Sequence, residues 1–310
     1  MLGGMALPKA YAKAPFAKEQ APYFYRFNHG RMQATVVSDG VLPLGEPSGT
    51  FLGTSKEEIG KLLSDNFLSP ANVVLEQNAL VLNTGDKLVL FDSGMGTSTM
   101  FGKSTGRLIR SLKDAGIDPA TVDAVVITHA HIDHIGGLVG ASDNRLFPNA
   151  QVYITQADFD FWTDEKKLEG ATKAFIEHAR RNLLPYRDRL VFMKDGQEFL
   201  PGIQAMAAPG HTVGHTIFMI TSDGKTMCNV GDLTHHQILL VERPRMEFAY
   251  DTDPKQAAAT RVRVLDMLAA QKIPLLAYHF PWPGVGHVAK QGEGYRYYAA
   301  PMQMMLDAAG

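Results

Sequence analysis

The sequence of 310 residues contains little cysteine and no large excess of either charge. Its single cysteine, Cys228, cannot form a disulfide within the chain, and no Cys-x-x-Cys pair is present to hold a metal. The 30 Lys and Arg residues nearly balance the 32 Asp and Glu residues, and neither sign forms a long run. A nucleic acid or another polyanion is therefore not an expected partner. Any metal site must use histidine and carboxylate ligands.

Long apolar runs are also missing. No stretch approaches the roughly 20 residues that a transmembrane helix needs, so the sequence predicts no membrane span. Hydrophobic residues nevertheless make up 45% of the chain, which is enough to bury a sizeable core. The sequence is therefore typical of a globular protein.

Residues 1–21 show neither helical nor strand periodicity and are rich in Ala, Pro and Lys. The stretch LGGMALPKAYAKA has a short apolar patch followed by small residues around Ala10 and Ala12, a pattern typical of the end of an export signal. A disordered leader is the alternative interpretation of this N-terminal extension. The first interpretation predicts a periplasmic or secreted protein, and the second leaves a cytoplasmic protein open.

Strand and helix patterns alternate through residues 22–310. The segment MQATVVSDGVLPL predicts two strands joined by a turn at Asp39 and Gly40, and NALVLNTGDKLVLFDSG predicts a second hairpin. Helices are predicted over residues 101–115 and 254–271, and no linker or repeat divides the chain. We therefore predict a single domain of the α/β (α+β) class, built from two sheets with helices outside.

The segment THAHIDHIGG, residues 128–137, places three histidines and an aspartate within six positions. The predicted buried strand AVVIT leads directly into it, and further histidines and aspartates follow later strands. Functional groups collect in loops at the strand ends of a rigid sheet. We therefore predict seven metal ligands: His129, His131, Asp133, His134, His211, Asp232 and His279.

An extended His-x-His-x-Asp segment would point His129, His131 and Asp133 to one side and His134 to the other. Imidazole and carboxylate ligands suit Zn²⁺, with Mn, Co and Fe also open, and Asp232 is the natural bridge between two ions. Two neighbouring ions can share a hydroxide at neutral pH and polarise a substrate oxygen. The spacing thus indicates hydrolysis, with Asp133 and Asp232 holding the ions and either one briefly accepting a proton.

The order His-x-His-x-Asp-His, Gly-His, Gly-Asp and a distant His resembles the metallo-β-lactamase superfamily from about Met32 onward. The strings GHTVGHT, CNVGD, FPNA, DFW and HFPWPGVGHVAKQGEGYRY are similar to its methyl parathion hydrolase branch. The resemblance implies a four-layer αββα sandwich and a homodimer. It also implies how the ligands divide: His129, His131 and His211 on one ion, Asp133, His134 and His279 on the other, and Asp232 between them.

Further site residues follow from the same resemblance. Asp92, in LVLFDSG, matches a strand-end aspartate that supports the metal loop, and carboxylates in that position orient ligating histidines. Phe101 and Trp162 map onto an aromatic substrate pocket through FG and DFW. His235 and His236 stand where the branch has mostly apolar residues, and we also assign them to the pocket.

The predicted function is a binuclear metal-dependent hydrolase of lactones, aryl esters or organophosphate triesters that uses a metal-bridging hydroxide. An N-acyl homoserine lactonase, which has the same ligand set, is the alternative. Hydrolysis of β-lactams or of glutathione thioesters ranks behind both. A di-iron redox protein is disfavoured because such relatives carry a glutamate in the motif and an attached flavin domain. A metal-free scaffold is disfavoured because it would bury unpaired carboxylates and histidines.

Overall fold

The computed structural model describes residue 16 and residues 23–306. Apart from Phe16, the predicted extension over residues 1–21 lies outside the described residues. The strands are β1 Phe24–His29, β2 Met32–Gly45, β3 Phe51–Leu52, β4 Val73–Asn83, β5 Leu88–Phe91, β6 Ala124–Val126, β7 Gln151–Thr155, β8 Leu190–Met193, β9 Glu198–Leu200, β10 Ile203–Ala207, β11 Thr216–Ser222, β12 Lys225–Asn229, β13 Glu247–Phe248, β14 Leu275–Leu276, β15 Val285–Gln291 and β16 Gly294–Ala299. The α-helices are α1 Lys56–Asp65, α2 Leu108–Asp114, α3 Ile132–Ile135, α4 Gln156–Thr163, α5 Lys173–Leu183, α6 Leu239–Glu242 and α7 Pro254–Gln271.

Two seven-stranded sheets form the centre of this part of the chain. The first has the order β1-β2-β4-β5-β6-β7-β8, with antiparallel pairs as far as β5 and parallel pairs from β5 to β8. The second has the order β16-β15-β14-β12-β11-β10-β9, in which the β12–β14 pair is parallel. Parallel neighbours end at the same edge of a sheet, so the loops after β5 and β6 lie side by side.

Alternation along the strands builds four layers. In β4, Leu80 and Leu82 pack between the sheets with Phe218 of β11, whereas the intervening Val81 faces the other way. The outer face of the first sheet is covered by α2 and α5, and that of the second sheet by α7, through Leu265 among others. The predicted helix–sheet–sheet–helix sandwich is therefore confirmed.

The hairpin predicted at Asp39 and Gly40 is wrong. Both residues lie inside β2, one strand of 14 residues that shifts register against β4 at this point. The buried Asp39 carboxylate accepts backbone hydrogen bonds from Met95, Gly106 and Leu108. These long-range partners outweigh the local turn preference of Asp-Gly. The helix predicted from residue 101 begins only at Leu108, whose N–H is one of the three bound to Asp39.

Strong local signals gave correct elements elsewhere. The predicted hairpin of β4 and β5 is present, with Leu80 opposite Phe91. Helix α7 begins after Asp253, whose carboxylate accepts the N–H of Gln256, with Pro254 in the first turn. Across residues 23–306, no helix combines the length and the apolar character that a membrane span requires.

Candidate metal centre

The histidine-rich motif leaves β6 at the edge where the parallel strands end. His131 has extended backbone angles, φ −72° and ψ 158°, and directly precedes α3. Asp133 and His134 lie inside α3, so the extended arrangement expected for His-x-His-x-Asp is wrong beyond His131. Because successive helical side chains are rotated by about 100°, Asp133 no longer shares a side with His129. It lies instead in one group with His134.

The first group of potential ligands contains His129, His131 and His211. His211 arrives from the loop between β10 and β11 in the second sheet. Its Nε2 lies 2.9 Å from Nδ1 of His131 and 3.1 Å from Nε2 of His129. Three imidazole nitrogens from two sheets therefore converge on one point.

The second group contains Asp133, His134 and His279. The Oδ2 atom of Asp133 lies 3.5 Å from Nε2 of His134 and 3.4 Å from Nε2 of His279. His279 comes from the loop after β14, and its Nδ1 donates to the carbonyl oxygen of Glu76 at 2.8 Å. That bond leaves Nε2 as the nitrogen that faces the group.

Asp232 follows β12 and lies between the two groups. Its Oδ2 is close to Nε2 of four of the predicted ligands, at 3.7 Å from His129, 3.3 Å from His134, 3.3 Å from His211 and 3.2 Å from His279. The structure thus brings all seven sequence-predicted ligands into one cluster. Each of them is at most 7% exposed.

The donor set of the cluster fits metal ions better than hydrogen bonds. His211 uses the N–H of its Nδ1 on Asp251, so the Nε2 of a neutral ring presents a lone pair toward the ring nitrogens of His129 and His131. Burial, together with neighbouring histidines, holds the pKa of His129 well below its ordinary value, which leaves a free lone pair. Nε2 of His134 and Oδ1 of Asp232 are buried without a hydrogen-bond partner among the described residues. The two groups and their shared carboxylate fit a binuclear metal site.

Asp92, which the resemblance predicted as a support of the metal loop, contacts one histidine of the second group. Its Oδ2 accepts from Nδ1 of His134 at 2.9 Å. The same carboxylate accepts the backbone N–H and the hydroxyl of Thr128, both at 2.8 Å. Asp92 therefore orients the ring of His134 and braces the start of the metal loop.

The first group has a similar support that the sequence analysis missed. Asp251 lies just before α7, and its Oδ1 accepts from Nδ1 of His211 at 2.8 Å. Behind it, the fully buried Arg261 of α7 lies 3.7 Å from Oδ2 of Asp251. Arg261 also donates to the backbone carbonyls of Leu233, Pro244 and Met246. No motif marks either residue, because the contact depends on how α7 packs.

Two further missed residues fix the loops that carry the ligands. The buried carboxylate of Asp158, in α4, accepts from the N–H groups of Ala130 and Gly214, and so ties the first metal loop to the loop of His211. His215 donates from Nδ1 to a backbone carbonyl and accepts the N–H of Asp232 at Nε2. An acidic residue among the aromatics of ADFDFW and the second histidine of GHTVGHT were the available signals.

A cleft opens over the cluster. Its apolar and aromatic lining consists of Leu42, Leu44, Leu75, Phe101, Ile132, Phe175, Phe248 and Tyr250. His235 also lines this cleft, whereas Trp162 lies in an adjoining aromatic pocket that shares His131. His236 is absent from the lining, and its Nδ1 accepts the N–H groups of Ile238 and Leu239. Among the residues that the structure describes, no lysine or arginine lines the cleft.

Comparison with known proteins agrees with this geometry. Residues 73–272, well over half of the chain, match the sequence model of the metallo-beta-lactamase superfamily. An N-acyl homoserine lactonase of Bacillus cereus is 24% identical over 174 residues, which is 50% of this chain and 63% of that protein. Metallo-beta-lactamase domain-containing protein 1 of Xenopus laevis is 30% identical over 132 residues, 42% of this chain and 45% of that protein. The chain thus aligns with less than two thirds of the length of these curated relatives.

Two solved structures are similar over almost their whole length. AidC, described as a dizinc quorum-quenching lactonase in complex with a product, is 29% identical with a TM-score of 0.84, covering 90% of this chain and 98% of that one. The hydrolase AbOPH of the beta-lactamase superfamily is 28% identical with a TM-score of 0.85, covering 92% of this chain and 100% of that one. Fold and site together define a sandwich protein with a paired imidazole–carboxylate cluster at one edge of its sheets. The chain belongs to the metallo-beta-lactamase superfamily.

Proposed function

We propose that this protein is a binuclear metal-dependent hydrolase of lactones, with aryl esters and organophosphate triesters as further substrates. The observation that carries the proposal is the joining of two ligand groups by Asp232 beneath an apolar cleft. Lactonases among the relatives and the solved structures support the lactone class. Because AidC is described as dizinc, we propose zinc for both ions.

His129, His131 and His211 would hold one ion, and Asp133, His134 and His279 the other, with Asp232 between them. When bound, such a pair of ions supplies a nucleophilic water of lowered pKa and positive charge at the attacked oxygen. Asp133 and Asp232 are the carboxylates proposed to accept a proton briefly during turnover. Asp92 orients His134, so the chain presents this ligand in a fixed ring orientation.

The cleft suits substrates with apolar substituents. The proposed metal ligands lie at its base and apolar side chains form its walls, and its described lining contains no lysine or arginine. Lactones, aryl esters and triesters with apolar substituents suit these walls, whereas the charged tripeptide of a glutathione thioester finds no basic side chain among them. Phe101 lines the cleft itself and Trp162 the adjoining pocket, where both can contact apolar substituents.

An N-acyl homoserine lactonase is the second candidate, favoured by the curated relatives and by the N-hexanoyl homoserine product named for AidC. An acyl chain suits the apolar walls. The methyl parathion hydrolase branch motivates the triester substrates and stays a prediction, as does the homodimer. A pocket role for His235 is compatible with its place in the cleft, and one for His236 is not favoured by its backbone contacts.

The deciding experiment compares kcat/KM for an aromatic lactone, an N-acyl homoserine lactone and a methyl phosphotriester on zinc-reconstituted protein. We expect both lactones to exceed the triester by orders of magnitude. A higher value for the triester would replace the lactonase with a dedicated organophosphate hydrolase. Absence of turnover on all three, in protein shown to hold two zinc ions, would refute the proposed substrate class.

The control is the same protein stripped with a chelator, which should lose activity and regain it when zinc is added back. His131→Ala serves as a second control, because it removes one ligand of the first group and should abolish turnover while the far-UV circular dichroism stays nearly native. Full activity with fewer than two ions per chain would refute the binuclear mechanism.

A further inference from the structure

His235 lies unusually close to the carboxylate that joins the two ligand groups. Its Nε2 is 3.0 Å from Oδ2 of Asp232, nearer than any of the four ligand histidines around that oxygen. The side chain is only 3% exposed and forms part of the cleft wall. His235 is therefore in direct contact with the site, although it belongs to neither ligand group implied by the family resemblance.

Packing fixes the orientation of the His235 ring. The ring stacks on Phe248, with centroids 3.9 Å apart and planes 23° from parallel. It also lies 5.2 Å from the ring of His279, with the two planes 18° from parallel. These two nearly parallel ring contacts hold the His235 ring in the orientation in which its Nε2 meets Asp232.

The hydrogen-bond partners of His235 indicate where its proton resides. Nδ1 is buried and has no partner among the described residues. A neutral imidazole carries one N–H, and placing it on Nδ1 would bury an unsatisfied donor, whereas placing it on Nε2 forms a charge-assisted bond to a carboxylate. The tautomer with hydrogen on Nε2 is therefore favoured, and His235 donates to Oδ2 of Asp232.

The adjacent histidine shows that this contact is particular to His235. His236 is also buried, but its Nδ1 accepts the N–H groups of Ile238 and Leu239 and its ring meets Phe51 edge to face. Its role is to organise the turn before α6. The chain thus offers a matched control, a neighbouring buried histidine that supports the fold without touching Asp232.

We propose that His235 is a positioning residue for Asp232, an inference that rests on the proposed binuclear metal site. By donating to Oδ2, His235 holds the shared carboxylate in the orientation in which this oxygen faces both ligand groups. Hydrogen bonds to metal-ligating carboxylates contribute about 10–100-fold to metal affinity or activity. His235 would therefore raise the affinity for the two metal ions. It would also raise kcat and leave KM nearly unchanged.

The test measures zinc affinity by competition with a chelator for the wild type and for His235→Ala, His235→Gln and His235→Asn. We expect His235→Ala to bind zinc about 10–100-fold more weakly, with a lower kcat and a nearly unchanged KM. Glutamine places an amide N–H near the position of Nε2 and should restore affinity to within a few fold. Asparagine is too short to reach Asp232 and should behave like alanine. His236→Ala should lower the melting temperature and keep the zinc affinity of the wild type.

Three results would overturn the inference. Wild-type affinity in His235→Ala would show that Asp232 needs no such donor, and a glutamine variant no better than alanine would reduce His235 to packing. Loss of one imidazole from the zinc X-ray absorption spectrum of His235→Ala would make His235 a ligand instead. Wild-type protein measured in parallel separates the two proposals, because only failure of the wild type to bind two ions counts against the binuclear site.

Discussion

The two ligand groups rest on buried carboxylates that reach them by different structural routes. Asp92 and His134 are 42 residues apart, and Asp251 and His211 are 40 residues apart, so sequence separation does not distinguish the two pairs. Asp92 follows β5, the neighbour of the strand that leads into the metal loop, and the pairing of these two strands places it beside the start of that loop. Asp251 belongs to no sheet and depends on Arg261 and on the start of α7.

Helix α7 organises the His211 side in a second way. The N–H groups of Thr252 and Asp253 donate to the carbonyl oxygens of His211 and Gly210. Gly210 has a φ of +129°, and a Cβ there would lie 2.2 Å from the backbone nitrogen of Ala257. The helix can approach the ligand loop this closely only because residue 210 is glycine. Asp92 is thus placed by a strand of the sheet, whereas Asp251 is placed by a buried guanidinium and by the start of a helix.

Removing a ligand histidine from either group, in two separate variants, should have the largest effects on metal content and turnover. We expect His134→Ala and His211→Ala each to lose one bound ion per chain and to bring lactone turnover below detection, because each group then lacks an imidazole. Metal content by elemental mass spectrometry and circular dichroism check the result. His287→Ala, at an exposed position in β15, is the control. Two bound ions per chain in either variant would contradict the assignment of one ion to each ligand group.

Removing the charge of each support should have intermediate effects. Asp92→Asn should weaken zinc binding by about 100-fold and Asp251→Asn by about 10-fold. The difference arises because Asp92 also accepts two bonds from Thr128, whereas His211 is the one hydrogen-bond donor to Asp251 within residues 23–306 and Arg261 lies at a longer distance. Chelator competition measures both. Equal losses would show that zinc affinity does not depend on whether the supporting carboxylate is placed by a strand or by a helix.

Arg261→Lys tests the guanidinium that is specific to the His211 side. The three N–H groups of lysine share one nitrogen and cannot reproduce the spread of Nε and Nη1 with which Arg261 reaches its three carbonyls. We therefore expect the free energy of unfolding to fall by about 3 kcal/mol while zinc affinity per folded chain changes little. Urea denaturation of the metal-free protein measures the loss. Arg263→Lys, at an exposed position in the same helix, is the matched control. If Arg261→Lys is as stable as the wild type, the guanidinium of Arg261 does not stabilise the structure around His211.

Asp39→Asn should have the smallest effect on the site, because Asp39 holds backbone rather than a ligand. Burial, partly offset by three backbone N–H groups, raises the pKa of Asp39 to about 6 from 3.8. The folded state therefore binds this proton more tightly than the unfolded chain, and the associated stability is complete below about pH 4 and lost as the pH rises through about 6. We expect the stability advantage of the wild type over Asp39→Asn to shrink across this range in denaturation experiments. A constant advantage would contradict the raised pKa.

Elements that depend on neighbouring residues were predicted correctly from the sequence. The residues around the β4–β5 turn and the capping residues of α7 act on neighbours a few positions away, so the sequence predicted these elements correctly. The Asp39-Gly40 turn failed because three backbone donors from a distant loop compete for the same carboxylate. A sequence pattern shows that Asp39 can turn the chain, but it does not show which distant groups Asp39 meets.

The sequence by itself determined the chemical types of the candidate ligands and their positions at strand ends, because these follow from side-chain chemistry and from the short range of strand periodicity. The tertiary structure alone decided that Asp251 supports His211 and that His235 rather than His236 meets Asp232. The physical reason is that these contacts join different sheets, helices and loops. Their geometry depends on the packing of whole layers, which no local pattern of residues encodes.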